Sequence, residues 1–235
     1  RVTGTVITDD KLNEAIDVYN QLRSLLKTLS QVRQQPRPGI SALDFVQLNH
    51  VSMYADPVMT CDALEAVRAS IPTAALLPAQ RHNRVLLTGP ALACGDYDII
   101  KLATDSGAEI VIEEMFEGMR DYQHVVGGTG DPLNRLAWSY LHDKKPAAFE
   151  RGGTRKRIDS ILNLIEEFDI HGVLWYQLLC CELYDEECYL FERVLSERGI
   201  PMLVVESDYH NLAAGPLRTR LDAFVEIMEG GPIDA

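Results

Sequence analysis

The sequence lacks several motifs that each indicate a particular cofactor chemistry. It contains no G-x-G-x-x-G dinucleotide fingerprint and no P-loop, and its glycine-rich run at residues 127–130 does not follow a strand-like stretch. We therefore do not expect this chain to hydrolyse ATP. It has no C-x-x-C pair, and its six histidines form no H-x-H or H-x-x-x-H pair, so none of these spacings indicates a metal site.

Positive charge and long apolar runs are also scarce. The 22 lysines and arginines face 35 aspartates and glutamates, which gives a formal net charge of −13 and argues against binding to nucleic acid or to an anionic membrane. No apolar run approaches the roughly 20 residues that span a bilayer. The first ten residues do not resemble a signal peptide, and the five cysteines are an odd number, so we expect a cytoplasmic protein with free thiols.

The hydrophobic pattern changes its period near residue 84. Apolar residues recur at helical spacing over residues 8–34 and 42–70. From Arg84 onward, four short apolar runs alternate with helical segments, which is typical of a parallel sheet covered by helices. We predict an α/β fold: a Rossmann-like, doubly wound, mostly parallel sheet over residues 84–235, preceded by a helical linker or inter-domain segment over residues 1–83.

The carboxyl ends of such strands meet at one edge of the sheet, where ligands bind in open α/β folds. This edge is predicted to gather four stretches, namely Gly89–Cys94, Glu113–Arg120, Cys180–Glu182 and Glu206–Tyr209. The segment between the second and third strands, residues 117–132, is long enough for a functional loop or a lid.

The adjacent pair Cys180-Cys181 is the strongest chemical signal, since it ends the third predicted strand. A metal-ligand or redox role and an inert role are both open on the residues alone. Cys61, Cys94 and Cys188 are separate, and for them packing is the simpler interpretation because free cysteines are usually buried.

Acidic and imidazole groups are predicted at the same edge. Glu206 and His210 end or follow the fourth strand and are candidates for acid/base chemistry or substrate contact. A nearby helix N-terminus explains acidic residues equally well.

Several segments resemble one known family. The ending IPMLVVESDYHNLAAGPLRTRLDAFVEIM and the upstream GVLWYQLLCCELYD are similar to segments of the 2-hydroxyacyl-CoA dehydratase and benzoyl-CoA reductase family. ITDDKLNEAIDVYNQLRSLLKTL, RVLLTGPAL and DPLNRLAWSYL match further segments, so the resemblance covers essentially the whole chain. The residues around the two cysteines favour the benzoyl-CoA reductase branch of this family.

The resemblance implies a subunit of a heterodimeric, oxygen-sensitive enzyme of anaerobic bacteria. Three cysteines of such a subunit hold a [4Fe–4S] cluster, and a separate ATP-dependent activator protein supplies single electrons. The substrate would be a CoA thioester that passes through a ketyl radical, followed by dehydration of a 2-hydroxyacyl group or reduction of an aromatic ring. The partner would be a second homologous subunit.

Carried over by position, Cys181 corresponds to the family's C-terminal cluster cysteine, and Cys180 takes a neighbouring apolar position. The family's other two ligands belong to a preceding domain that we expect to be absent from this chain. Ala147 and Ala148 follow Pro146 where relatives often have a cysteine. Glu182, Glu206 and His210 are the pocket candidates without assigned roles.

Three hypotheses follow. The first is an iron–sulfur subunit of a CoA-thioester reductase or dehydratase, with Cys181 as the cluster ligand. The alternative is a non-catalytic partner subunit that keeps the fold but holds no complete cluster. The third is an unrelated Rossmann-like enzyme of small-molecule metabolism.

Overall fold

A parallel β-sheet forms the centre of the protein. The computed structural model describes residues 4, 6–36, 39–71, 83–144, 153–209 and 214–230. Its strands are β1 (Asn83–Thr88), β2 (Ala108–Glu114), β3 (Gly172–Leu178) and β4 (Met202–Ser207). They lie in the order β2-β1-β3-β4, and each neighbouring pair is parallel. The predicted α/β fold with a doubly wound parallel sheet is therefore confirmed.

Helices begin where the sequence supplies caps. Thr8, Asp56 and Asp131 each accept a backbone N–H of the helix that they precede, and proline opens two of these helices. One π-helical turn, Ser139–Asp143, continues α6. The helices are α1 (Asp9–Val32), α2 (Ala42–Ser52), α3 (Pro57–Ser70), α4 (Asp98–Asp105), α5 (Met119–Tyr122), α6 (Pro132–Trp138), α7 (Gly153–Glu167), α8 (Glu182–Ser196) and α9 (Ala214–Gly230).

Two apolar clusters cover the two faces of the sheet. On the first face, Trp175 of β3 packs with side chains of α1, α3, α5, α7 and α8. On the second, Tyr176 of β3 packs with side chains of α4 and α9. The alternation of neighbouring β3 residues between clusters is what a strand buried on both faces requires. The helices before β1 thus share the core of the sheet, while the predicted division of the chain at residue 84 stays a prediction.

A bulge in β2 interrupts this alternation. Val85 pairs with Ile110, but the next β1 residue, Leu86, pairs with Ile112, which leaves Val111 without a partner in β1. Val111 and Ile112 consequently both belong to the first cluster, whereas Ile110 belongs to the second. After the bulge, each β2 side chain lies on the face opposite to the one it would occupy in a regular strand. Glu114 is therefore directed toward α7 and α8.

The segment predicted as a loop or lid begins inside the core. It contains α5, whose Met119, Arg120 and Tyr122 are buried. The chain approaches β2 closely at Gly118, just before this helix. A side chain would not fit there, because a Cβ at Gly118 would lie 2.7 Å from the carbonyl oxygen of Glu113. None of the described helices combines the length and apolar character that crossing a bilayer requires.

Candidate functional site

The site is defined by the point at which the strand order reverses. After β1 the chain adds β2 on one side, and it then returns to add β3 on the other side of β1. In such sheets the loops after the two central strands separate and leave a crevice outside their carboxyl ends. Here these loops are residues 89–97 after β1 and 179–181 after β3.

Cys181 lies at this crevice. β3 ends at Leu178, Cys180 adopts φ +66°, and Cys181 occupies the N-cap position of α8. The carbonyl oxygen of Cys181 accepts backbone N–H groups of Tyr184 and Asp185 at 3.1 Å each. Cys180 is exposed and Cys181 is half-buried, so neither residue is fully buried in the apolar interior. The partial positive charge of a helix N-terminus favours an anionic group at this position.

The other cysteines are divided between core and surface. Cys61 and Cys188 are buried, as predicted for packing residues. Burial raises the pKa of both thiols, and for Cys188 it does so to about 12. Cys94 is exposed in the loop after β1, so its predicted packing role is wrong. It projects from the crevice loop, with its Sγ 3.7 Å from the hydroxyl of Tyr97.

The predicted acidic candidates reach the same edge but are exposed. Glu182 is in the first turn of α8, and Glu206 pairs with Gln177 across the β3–β4 ladder. The side-chain amide of Gln177 donates to the carbonyl oxygen of Cys181 at 3.2 Å, which connects the turn that carries Cys181 to the end of β3. His210 lies outside the described residues.

A second group of polar side chains surrounds the loop after β1. The hydroxyl of Tyr176 donates to Asp96. Burial raises the pKa of Tyr209, and Glu117, Asp96 and Cys181 raise it further, so these groups lie near one another. Burial also raises the pKa of Glu117. Burial thus raises the pKa of both a phenol and a carboxyl group near the crevice.

Large apolar side chains are exposed around the crevice. Phe116, Leu179, Leu183 and Tyr209 are exposed to 72%, 54%, 50% and 51%. They follow β2, β3 and β4 or begin α8. The mixture of apolar surface with a few polar groups is typical of surfaces that bind a ligand or another protein chain.

A buried ionic cluster beneath the crevice was not among the features predicted from the sequence. Glu114, at the end of β2, is completely buried between two arginines. Arg120 of α5 donates to it at 2.8 Å and Arg157 of α7 at 3.0 Å. Arg157 also binds Glu187 of α8. We call Glu114, Arg120, Arg157 and Glu187 the ionic cluster; its two positive and two negative groups balance.

Charge pairing outweighs desolvation at the centre of the ionic cluster. Burial alone raises the pKa of Glu114, but the charges and hydrogen bonds of Arg120 and Arg157 lower it to about 2. Glu114 is therefore a carboxylate at neutral pH. Its contacts satisfy both oxygens, since the hydroxyl of Thr88 donates to it at 2.8 Å as well.

A signal for this cluster was present in the sequence. Arg157 occupies the same helical stripe as Ile161, Leu164 and Ile165, all of which are buried. Glu187 similarly precedes Phe191 and Leu195 on the buried side of α8. A charged residue on a stripe that faces the core requires a buried partner, so these two positions indicated an ion pair.

The described residues do not contain a complete metal site. No group of three or more His, Cys, Asp or Glu side chains in the described ranges is arranged to hold a metal ion. A thiolate suits iron–sulfur ligation, so Cys181 fits as one ligand. The described residues as a set do not fit a three-cysteine site.

Comparison with known proteins identifies relatives along the whole chain. The family model described as 2-hydroxyglutaryl-CoA dehydratase, D-component, matches residues 1–228. The putative dehydratase subunit YjiM of Escherichia coli (strain K12) is 25% identical over 230 residues, which cover 96% of this chain and 59% of that protein. The (R)-phenyllactyl-CoA dehydratase beta subunit of Clostridium sporogenes is 22% identical over 230 residues, or 97% of this chain and 60% of the relative.

A benzoyl-CoA reductase subunit from Thauera aromatica is also similar. It is 26% identical over 144 residues, which cover 60% of this chain and 36% of the relative. The chain thus spans less than two thirds of the length of the curated relatives that it matches.

Proposed function

This chain belongs to the 2-hydroxyglutaryl-CoA dehydratase D-component family, and from this membership we propose that it forms part of a subunit of an enzyme acting on CoA thioesters. The reaction is dehydration of a 2-hydroxyacyl-CoA or reduction of an aromatic acyl-CoA. One observation carries the proposal: Cys181 stands half-buried at the N-cap of α8, where the strand order reverses.

In this proposal, Cys181 supplies one thiolate to a [4Fe–4S] cluster. The remaining ligands come from residues outside those described, because the described residues provide no three-group site. Bound there, such a cluster would supply single electrons at low potential, the chemistry that a ketyl radical of the thioester would require. The exposed apolar rim of the crevice, including Phe116 and Leu183, excludes water once a substrate or a second subunit lies over it.

Acid/base groups are proposed from the same edge. Glu182 and Glu206 reach the crevice rim, and His210 completes the predicted set. Tyr209, which lies near Cys181, and Glu117, which lies near Tyr209, are further candidate proton donors, and burial raises the pKa of both. A carboxyl or phenol group held at this edge is suited to donate a proton to a leaving hydroxyl or a reduced ring.

The proposed assembly has two further proteins. A second homologous subunit lies over the crevice, and an ATP-dependent activator protein delivers electrons, since this chain has no P-loop. The net charge of −13 makes nucleic acid an unsuitable partner, and we propose a cytoplasmic location without membrane association.

Iron and acid-labile sulfide analysis of the intact, anaerobically prepared complex tests the proposal. We expect a brown protein with about four irons and about four sulfides per cluster. A colourless full-length protein that takes up no iron on reconstitution contradicts it and supports the non-catalytic partner subunit. The third hypothesis, an unrelated Rossmann-like enzyme, is wrong because the family model matches residues 1–228.

A further inference from the structure

The first turns of α8, which follow Cys181 directly, are attached to two arginines. Tyr184 contacts Arg120, and Glu187 contacts Arg157. Both arginines also bind the ends of β1 and β2. The position of α8 relative to the crevice is therefore set by polar contacts as well as by apolar packing.

Arg120 connects the ends of β1 and β2 to α8 through its three nitrogens. Its Nε donates to Glu114 at 2.8 Å, and its Nη2 donates to the carbonyl oxygen of Gly89 at 2.6 Å. Its Nη1 donates to the hydroxyl of Tyr184 at 2.5 Å. Gly89 follows β1, Glu114 ends β2, and Tyr184 follows β3, so one buried side chain joins the loops on both sides of the crevice.

Arg157 supports this arrangement from below. Its guanidinium carbon lies 5.2 Å from the ring centre of Trp175, 5.1 Å from that of Tyr184 and 5.3 Å from that of Phe191. Its Nη2 donates to the hydroxyl of Thr88 at 2.7 Å. The ring of Tyr184 is thus held by cation–π contacts, while its hydroxyl is held by Arg120.

The backbone transmits this attachment to Cys181. The carbonyl oxygen of Cys181 accepts the N–H of Tyr184 at 3.1 Å and the side-chain amide of Gln177 at 3.2 Å. Gln177 is itself fixed by the indole N–H of Trp175 at 2.9 Å. We therefore expect a displacement of Tyr184 to be passed to the turn that carries Cys181.

We infer that Arg120, acting through the hydroxyl of Tyr184, is a positioning residue that fixes the orientation of the Cys181 thiol at the crevice. The purpose of this positioning rests on the proposed function, but the positioning itself can be measured without any cluster. The apolar packing of α8 through Phe191 and Leu195 does not depend on this hydroxyl.

The test is the rate at which Cys181 is alkylated by iodoacetamide in the cluster-free, full-length protein. Cys180→Ser serves as the background so that the neighbouring thiol does not contribute, and the exposed Cys94 serves as the internal reference. Tyr184→Phe removes only the hydroxyl. Tyr189→Phe is the matched control, because Tyr189 is on the same helix and 67% exposed.

We expect Tyr184→Phe to change the Cys181 alkylation rate by about threefold to tenfold, the range that the net contribution of one ordinary hydrogen bond allows. The alkylation rate of Cys94 in Tyr184→Phe should equal its rate in the parent protein. In Tyr189→Phe, the alkylation rates of both Cys181 and Cys94 should equal the parent rates. An unchanged Cys181 rate in folded Tyr184→Phe overturns the inference, as does an equal change in Cys94, which indicates general loosening.

Arg120→Lys provides a second variant if Tyr184→Phe does not fold. Lysine keeps the charge beside Glu114 but lacks the three-way guanidinium geometry, so the same change at Cys181 is expected and an unchanged rate again contradicts the inference. Iron uptake by the parent protein separates the two proposals. A parent protein without iron removes the proposed function, while a Cys181-specific rate change still establishes the positioning.

Discussion

The carboxylate of Glu114 accepts hydrogen bonds from Arg157 at 3.0 and 3.1 Å although both side chains are completely buried. Such a pair is costly to desolvate, and it is retained only where further hydrogen bonds satisfy both groups. Thr88 and Arg120 supply these bonds to Glu114. The ionic cluster therefore joins the ends of β1 and β2 to α7 and α8, and its loss should affect stability more than any surface ion pair.

Replacing Arg157 with methionine tests this expectation. The variant leaves the buried carboxylate of Glu187 without its cation and removes one of two cations from Glu114, which should lower the free energy of unfolding by about 3–5 kcal/mol. Urea denaturation measures the change. Arg155→Met on the exposed side of the same helix should change it by less than about 0.5 kcal/mol. Equal losses in the two variants would show that the buried pair has no special role.

The pH dependence of stability offers an independent test of Glu114. Its pKa is about 2 in the folded protein against an ordinary value of 4.5, so the unfolded chain binds the additional proton between these values. The contribution to stability is present above about pH 4.5 and is lost as the pH falls toward 2. It amounts to about 3 kcal/mol.

Glu114→Gln should therefore flatten the fall of the unfolding free energy between about pH 5 and pH 2. Glu226→Gln, at an exposed position of α9, is the control. If Glu114→Gln retained the parent slope across this window, Glu114 would not be held as a carboxylate by the arginines.

The central strands β1 and β3 were predictable from the sequence because they are buried on both faces. Residues 85–87 and 173–176 are fully buried, so their apolar runs needed no knowledge of the tertiary structure. The alternation of these runs with helices then gave the doubly wound topology and the edge to which Cys181 belongs. The caps at Thr8 and Asp131 were also predictable, because each binds a backbone N–H only three residues away.

The ionic cluster was not predictable in the same way. The partners of Glu114 lie 6 and 43 residues away in the sequence, and the bulge at Val111 is not visible in the hydrophobic pattern. A regular strand would have directed Glu114 to the same face as Ile110, away from Arg157. The pairing of β2 with β1 thus determines on which face of the sheet Glu114 lies, whereas the local hydrophobic pattern indicates only that a strand is present.

Gly89 provides a test of the close approach between the loop after β1 and β3. It has φ +148°, and a Cβ there would lie 2.0 Å from the carbonyl oxygen of Tyr176. Gly89→Ala should therefore cost about 3–5 kcal/mol in unfolding free energy, from backbone strain and overpacking. Gly95→Ala is the matched variant, since Gly95 has φ +97° with open space around the added Cβ.

Gly95→Ala introduces backbone strain but no overpacking, so it should lower the free energy of unfolding by about 1 kcal/mol. Thermal unfolding followed by circular dichroism compares the two variants. If both lost the same amount, the contact with β3 would not constrain the loop, and the crevice would be able to widen without penalty.

Cys181→Ser tests the assignment on which the proposed function depends. In the full-length, anaerobically prepared protein, this variant should lose the cluster or release iron during gel filtration, because a serine hydroxyl replaces a thiolate at a half-buried ligand position. Cys61→Ser is the control. The Cys61 thiol is buried within the first apolar cluster, with a pKa that burial raises, so iron content should be unaffected there. Equal iron content in both variants would remove Cys181 from the site and leave the crevice as a surface for binding substrate or a second protein chain alone.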